Sequence, residues 1–343
     1  MSRLIPIDGA EGGGQRLRAA LSLSMLTGQG FEMTRIRAGR LRPGLGPDHT
    51  AAVRAAALAC GAKVGGAFEG SPDLRFEPGA LVPGEFRFDL ATAGAATLVA
   101  LTVLVPLAAA PEPSRLEVTG GTHVPASPTA DYLARHWRAV VAGLGLDARV
   151  ELRKAGFRPS GGGEILVEVL PRSRPASMSL EQRGALVAVR GLSGAPRLKG
   201  DVAERVRDAA RGRLWEERRL EVEWEIVSPA SASPGSYLYL EAVFEQTRAA
   251  FAFLGERGVR PESVGDRAAR RLLRFLEAEG AVDGRLADQL AVPLAAAGGG
   301  GIVTTDEVTS HLETVSATLT HFGIPSRTWG RRGGPGGLEV GRC

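Results

Sequence analysis

Hydrophobic positions change their period repeatedly along this chain, and each change marks an element. The run 4–8 reads as a strand, and after Gly12–Gly14 the residues Leu17, Leu21 and Met25 recur every four positions, which predicts a helix. Alternation predicts a strand over 31–37, then a helix over 50–60 and two β-like runs at 63–68 and 74–77. The same order returns further on. A strand at 86–90 precedes an Ala- and Thr-rich helix at about 94–105 and a strand at 116–119; a helix at 130–143 follows, with Leu133, Trp137, Val140 and Leu144 on one face, and strands at 149–154 and 164–169 close the round. A unit of strand, helix, strand, helix and paired strands therefore occurs twice in the first 170 residues. A third, partial copy is expected near the end: helices at about 264–279 and 286–297, a strand at 301–305, a helix from His311, and a hairpin joining Thr328-Trp329 to 338–340. Repetition of one supersecondary unit predicts several sheets packed through helices around a shared core.

Between the second and third copies the texture changes. Residues 183–259 carry charge clusters such as Trp215-Glu216-Glu217-Arg218-Arg219 and a Ser/Pro loop at 228–236, which predicts a small inserted α+β domain. The expected division is a core of 1–182 and 260–343 with an insert of 183–259.

Composition narrows the possibilities. A chain of 343 residues with 44% hydrophobic and 23% charged residues has an ordinary globular mix, and two cysteines cannot build a disulfide framework or a four-ligand zinc site. The uncharged stretch between Asp89 and Glu112 is rich in Ala, Gly and Thr and holds Pro106, so it reads as a buried helix and not a membrane span. With no apolar leader at the amino terminus, a cytoplasmic protein with no membrane partner is expected. The net charge is +4, and lysine is confined to Lys63, Lys154 and Lys199, so arginine provides nearly all the cations. Arginine forks suit phosphate recognition, although compositional bias accounts for the same excess.

Candidate chemistry falls at a few places. Three glycine runs, Gly12–Gly14, Gly161–Gly163 and Gly298–Gly301, stand at helix–strand junctions, where glycine serves either as a tight turn or as a close approach for an anion. None is a P-loop. Arg35, Arg37, Arg40 and Arg42, followed by His49, form a basic stripe with Arg35 and Arg37 on one face of the strand; it reads as a phosphate contact or as a solvated face. His136 falls in a helical stretch and reads as structural. Ser310 to Glu313 forms a capping box that puts His311 at the first helical position. A helix amino terminus disfavours an imidazolium, so this ring is expected to be neutral and nucleophilic, or else merely exposed. Glu11 precedes the first glycine run and Asp288 the last; each is a candidate magnesium ligand or a plain surface charge.

Together these segments resemble the RNA 3'-terminal phosphate cyclase family. The resemblance is carried by Asp8-Gly9-Ala10-Glu11-Gly12-Gly13-Gly14-Gln15 with Arg18, by Ile36 to Arg40 with Pro43-Gly44-Leu45 and His49, and by Gly120-Gly121-Thr122 with Pro128. It continues through Gly156-Phe157-Arg158-Pro159-Ser160-Gly161-Gly162-Gly163-Glu164-Ile165, Leu286-Ala287-Asp288-Gln289-Leu290 and Ser310-His311, in family order over nearly the whole chain. It implies three repeats of a four-stranded sheet with two helices, plus a small inserted domain before the last. It also implies an ATP-dependent ligase acting with magnesium or manganese on RNA that ends in a 3'-phosphate. In that reaction His311 takes AMP from ATP, AMP passes to the RNA 3'-phosphate, and the adjacent 2'-hydroxyl displaces it to close a 2',3'-cyclic phosphodiester. By position, Glu11 matches the metal ligand; Pro128, Arg285, Leu286, Ala287, Asp288 and Gln289 match the ATP site; Arg18, Arg37, Arg40 and His49 match residues around the phosphates and the RNA end.

Three departures accompany the match. Leu101 stands where such cyclases tend to have Gln, Arg285 where an aromatic usually stacks on adenine, and Val315 where an Asn usually follows Thr314. A catalytically silent, RNA-binding relative is the alternative reading, which the presence of His311 opposes and Leu101 favours. An enolpyruvyl-transferase-like reaction on related repeats is a third, opposed by the short chain and the insert. A homodimer remains open from sequence.

Overall fold

The computed structural model describes residues 3–90, 93–172 and 176–341. Three successive units share one topology. The first runs β1 (Ile5–Asp8), α1 (Gly13–Thr27), β2 (Phe31–Thr34), α2 (Pro47–Cys60), β3 (Lys63–Gly65) and β4 (Leu74–Glu77), and its sheet has the order β1-β2-β4-β3. The second runs β5 (Glu85–Asp89), α3 (Ala96–Leu107), β6 (Ser114–Gly120), a π-helical turn (Tyr132–Trp137) leading into α4 (Arg138–Val141), then β7 (Ala148–Lys154) and β8 (Gly163–Val169), in the order β5-β6-β8-β7. The third begins at β9 (Ala176–Leu180) and is then interrupted.

The interruption is a sheet of different order, β11-β10-β12-β13, built from β10 (Leu186–Gly194), α5 (Val202–Arg218), β11 (Glu223–Val227), β12 (Tyr237–Phe244) and β13 (Arg248–Leu254), with α6 (Pro261–Glu277) packed on it. The third unit then resumes with α7 (Gly284–Ala297), β14 (Gly298–Thr305), α8 (Ser310–His321), β15 (Ser326–Gly330) and β16 (Gly336–Val340), in the order β15-β16-β14-β9. In every unit the first two strands pair in parallel and the other pairs are antiparallel. The parallel pair needs a crossover, which α1, α3 and α7 supply.

These three helices pack on one another at the centre, and all three units contribute to one hydrophobic core. Helix α3 is buried at nearly every position, which explains its uncharged sequence; no helix among the described residues is long and apolar enough to cross a membrane.

Several expectations change here. The insert lies inside the third unit, after its first strand, and not before that unit. Helix α6, which the periodicity assigned to the third unit, buries Val264, Ala268, Leu272 and Phe275 in a separate core with β12 and β13, so the body of the insert continues past 259. An amphipathic stripe shows that a helix has an apolar face but not which core that face meets. Strand β2 ends at Thr34; Arg35 and Arg37 both take left-handed backbone conformations, with φ of 54° and 53°, so they do not share a strand face. Gly298–Gly301 lies within β14, where a side chain on Gly299 would strike the Ala176 carbonyl of β9; this run serves strand pairing. The hairpin at the end forms as β15 and β16. Cys343 lies outside the described residues.

Candidate active site

Helix α8 starts one residue earlier in its cap than the capping box suggested. Thr309, not Ser310, is the N-cap: its hydroxyl accepts from the Leu312 amide at 3.0 Å, which leaves His311 as the second residue of the helix. Thr309 and His311 open onto a cavity of about 450 Å³ where the three units and the insert converge. Gln15 and Arg18 reach it from α1, Leu98 and Leu101 from α3, Pro128 and Tyr132 from the second unit, Arg285, Asp288 and Gln289 from α7, and Ala250 to Phe253 from β13.

Its polar side centres on Asp288, which is buried. The His311 Nδ1 stands 3.8 Å from the Asp288 Oδ2, and the Gln15 amide donates to Asp288 Oδ1 at 3.4 Å while its carbonyl accepts from Arg18 at 3.1 Å. Burial, with the negative charge of Asp283 nearby, pushes Asp288 up to about 8. Asp283 is itself held below the usual carboxylate range: burial opposes this, but His136 and the amides it caps outweigh the cost. Two neighbouring carboxylates are thus driven apart, a pattern that separates proton carrier from permanent anion. His311 is shifted the other way. Partial burial and the positive charges of Arg18, Arg285 and Arg40 lower its pKa, so the ring is neutral near pH 7.

Beside Arg18, outside the cavity lining, the surroundings of His49 are basic. The His49 Nδ1 accepts from the Gly46 amide at 2.9 Å, and burial beside Arg18 and Arg37 takes its pKa down to about 4. The proton is then on Nε2, which is aimed at Gly14. A methyl group on Gly14 would come within 2.5 Å of that nitrogen and 2.8 Å of an Arg18 nitrogen. The φ of Gly14 is unremarkable, so Gly14→Ala is expected to fold with little change in Tm, yet to displace Arg18 and His49 and lower turnover at least about tenfold; thermal melts and kinetics on the same preparation check this. Below pH 6.5 an unfolded histidine binds a proton that folded His49 refuses until about pH 4, so stability falls with acid across that window. His49→Gln is expected to flatten that loss, read as urea midpoints at pH 4.5 and 7.5.

Not every predicted site residue lines the cavity. Leu286 and Ala287 are fully buried in the core and serve packing. The Arg37 guanidinium donates to the Gly44 carbonyl at 3.0 Å and braces the loop before α2. Arg40 is exposed beside Gly13, close enough to bias His311. Glu11 is exposed in the loop before α1, and the next residue, Gly12, abuts Thr314 of α8, so this loop flanks the His311 helix. Among the described residues no three His, Cys, Asp or Glu side chains gather to cage a metal ion. Gln15, Asp283 and the β13 wall with Phe251 and Phe253 were missed. Gln15 directly follows the first glycine run, whereas the β13 residues carry no sequence signal, because only folding brings the insert to the cavity.

A sequence profile of the family described as RNA 3'-terminal phosphate cyclase matches residues 9–324. The chain is 43% identical to an RNA 3'-terminal phosphate cyclase of Ralstonia nicotianae, covering 93% of this chain and 91% of that one. It is 42% identical to one of Pseudomonas fluorescens (94% and 93% covered) and 41% identical to one of Salmonella typhimurium (95% of each).

Proposed function

Because the chain belongs to the RNA 3'-terminal phosphate cyclase family, we propose that it closes RNA 3'-phosphate ends at the expense of ATP, with His311 as a transient carrier of AMP. It is an enzyme of the ligase class acting in RNA processing. The observation that carries the finer reading is the neutral His311 ring at the start of α8, facing Asp288 in a cavity that also holds Arg18, Gln15, Pro128 and Arg285.

The adenine fits the apolar side of the cavity between Pro128, Leu101 and the β13 phenylalanines; the Arg285 guanidinium takes the stacking position of an aromatic ring. Arg18 and Arg40 attract the triphosphate. His311 Nε2 attacks the α-phosphorus, the bond to the bridging oxygen breaks, and pyrophosphate leaves. Asp288 accepts from the Nδ1–H and so offsets the positive charge that grows on the ring. An oxygen of the RNA 3'-phosphate then displaces the imidazole, and the 2'-hydroxyl oxygen displaces AMP from the activated phosphate, losing its proton. Activation turns a poor leaving group into a good one.

A divalent ion bound to this arrangement would be held by Glu11 and the substrate phosphates, since a lone carboxylate oxygen with phosphate partners is a fitting donor set for magnesium or manganese. When bound it neutralises phosphate charge.

The test is incubation with α-labelled ATP and magnesium or manganese. The expected product is protein carrying an acid-labile, alkali-stable label that RNA with a 3'-phosphate discharges. No label with either metal would reject the histidine–AMP reading and leave the silent, RNA-binding alternative.

A further inference from the structure

His136 is fully buried on the π-helical turn, yet both ring nitrogens face carboxylates from distant parts of the chain. Its Nε2 lies 3.5 Å from Asp283 Oδ2, and its Nδ1 lies 3.6 Å from Oε1 of Glu241 on β12. Both acids are buried, at 1% and 3% exposure. Asp283 is the N-cap of α7: its Oδ1 accepts from the amides of Arg285 at 3.1 Å and Leu286 at 3.0 Å, and its Oδ2 accepts from the Ala250 amide of β13 at 3.4 Å. Glu241 also meets Arg248 at 3.3 Å. One imidazole thus joins the second unit, the inserted sheet and the first turn of α7. These are the elements that form facing walls of the cavity.

We propose that His136 is a positioning residue for nucleotide binding: by holding the cap of α7 against the inserted sheet, it sets Arg285, Asp288 and Gln289 at a fixed spacing from Phe251 and Phe253. This deepens the ATP reading above and rests on it. Two buried carboxylates cannot share a site without a counter-charge, which is why an isosteric apolar ring would not serve. Burial alone would strip the imidazole of its proton, but Asp283 and Glu241 outweigh it and hold the ring above its ordinary value. Tyr132 on the same turn, Tyr239 beside Glu241, and Arg248 complete the charged and titratable surroundings. The contacts end on amides of the turn that presents Arg285, which distinguishes this histidine from one that only fills the core.

The test compares the full-length wild type with His136→Gln and with the double variant His136→Gln/Glu241→Gln, which loses one buried carboxylate together with the cation and so tolerates folding if the single variant does not. Binding of magnesium–ATP is measured by calorimetry, and the rate of labelling at saturating ATP separately. The expected result, in each variant that folds, is an ATP affinity weakened about tenfold to hundredfold, with labelling at saturation within about threefold of wild type. A folded variant with wild-type affinity overturns the proposal, as does failure of both variants to fold, which assigns His136 to stability alone. If the wild type binds ATP without forming label, the histidine–AMP reading fails while the positioning test stands. If it binds no ATP, both fail together.

Discussion

Replacing His311 by alanine is expected to eliminate the covalent label and to lower cyclisation of RNA 3'-phosphates by at least about a thousandfold, because the imidazole that carries AMP in the proposed reaction is gone. The ring is exposed and the cap of α8 is formed by Thr309, so folding loses nothing of consequence. Tm is expected to stay within a degree or two of wild type, and magnesium–ATP still to bind. Loss of label with retained nucleotide binding separates chemistry from binding. Retention of label in His311→Ala, mapped to another residue, would end the assignment. Electrostatics distinguish this ring from His49 and His136. His49 is neutral as well but lies under Arg18 and Arg37 with Nδ1 occupied by the Gly46 amide, and His136 is enclosed between acids. Only His311 combines a free edge with a carboxylate behind Nδ1.

Asp288→Asn is expected to change stability and activity in opposite directions. The carboxyl has a folded pKa near 8 against an ordinary 3.8. Between those values the unfolded chain releases a proton that the folded protein keeps, so stability declines as pH rises through that window, by up to about 1.4 kcal/mol per pH unit from this group. Asn removes that dependence. The variant is expected to melt higher than wild type at pH 8.5, with the difference shrinking towards pH 5, as scanning calorimetry at both values would record. Activity moves the other way, because the ionised carboxylate supports the charge that develops on His311. Wild-type label formation is expected to climb with pH towards about 8, the His311 ring being neutral throughout, and the Asn variant to be slow and flat across the same range. An equal pH slope in wild type and variant would show that Asp288 does not titrate in the reaction. Instability of this kind is usual where a site must bury a charge to use it.

The site was legible in part. Pro128 and the Asp288-Gln289 pair, which line the cavity with His311, are legible through the motifs that carry the family resemblance, whereas His311 also has a local reason, a hydroxyl three residues before an amide it can cap. Leu286 and Ala287 shared such a motif but point into the core, since adjacent helical residues face different ways. Arg35 and Arg37 looked paired because alternation continued past Thr34; two left-handed residues break it, and nothing in the side-chain pattern announces a backbone turn of that kind.

What the sequence by itself determined is the periodic order of elements, the threefold repetition and the place of His311 at a helix start, because these depend on spacing within some twenty residues. The tertiary structure alone decided which body α6 joins, that the insert splits the third unit after β9, that β13 walls the cavity, and that Asp283 and Asp288 part company in their proton affinity. Those outcomes depend on burial and on charges and surfaces brought together from separate elements, some of them more than a hundred residues apart, and proximity of that kind leaves no trace in a local pattern.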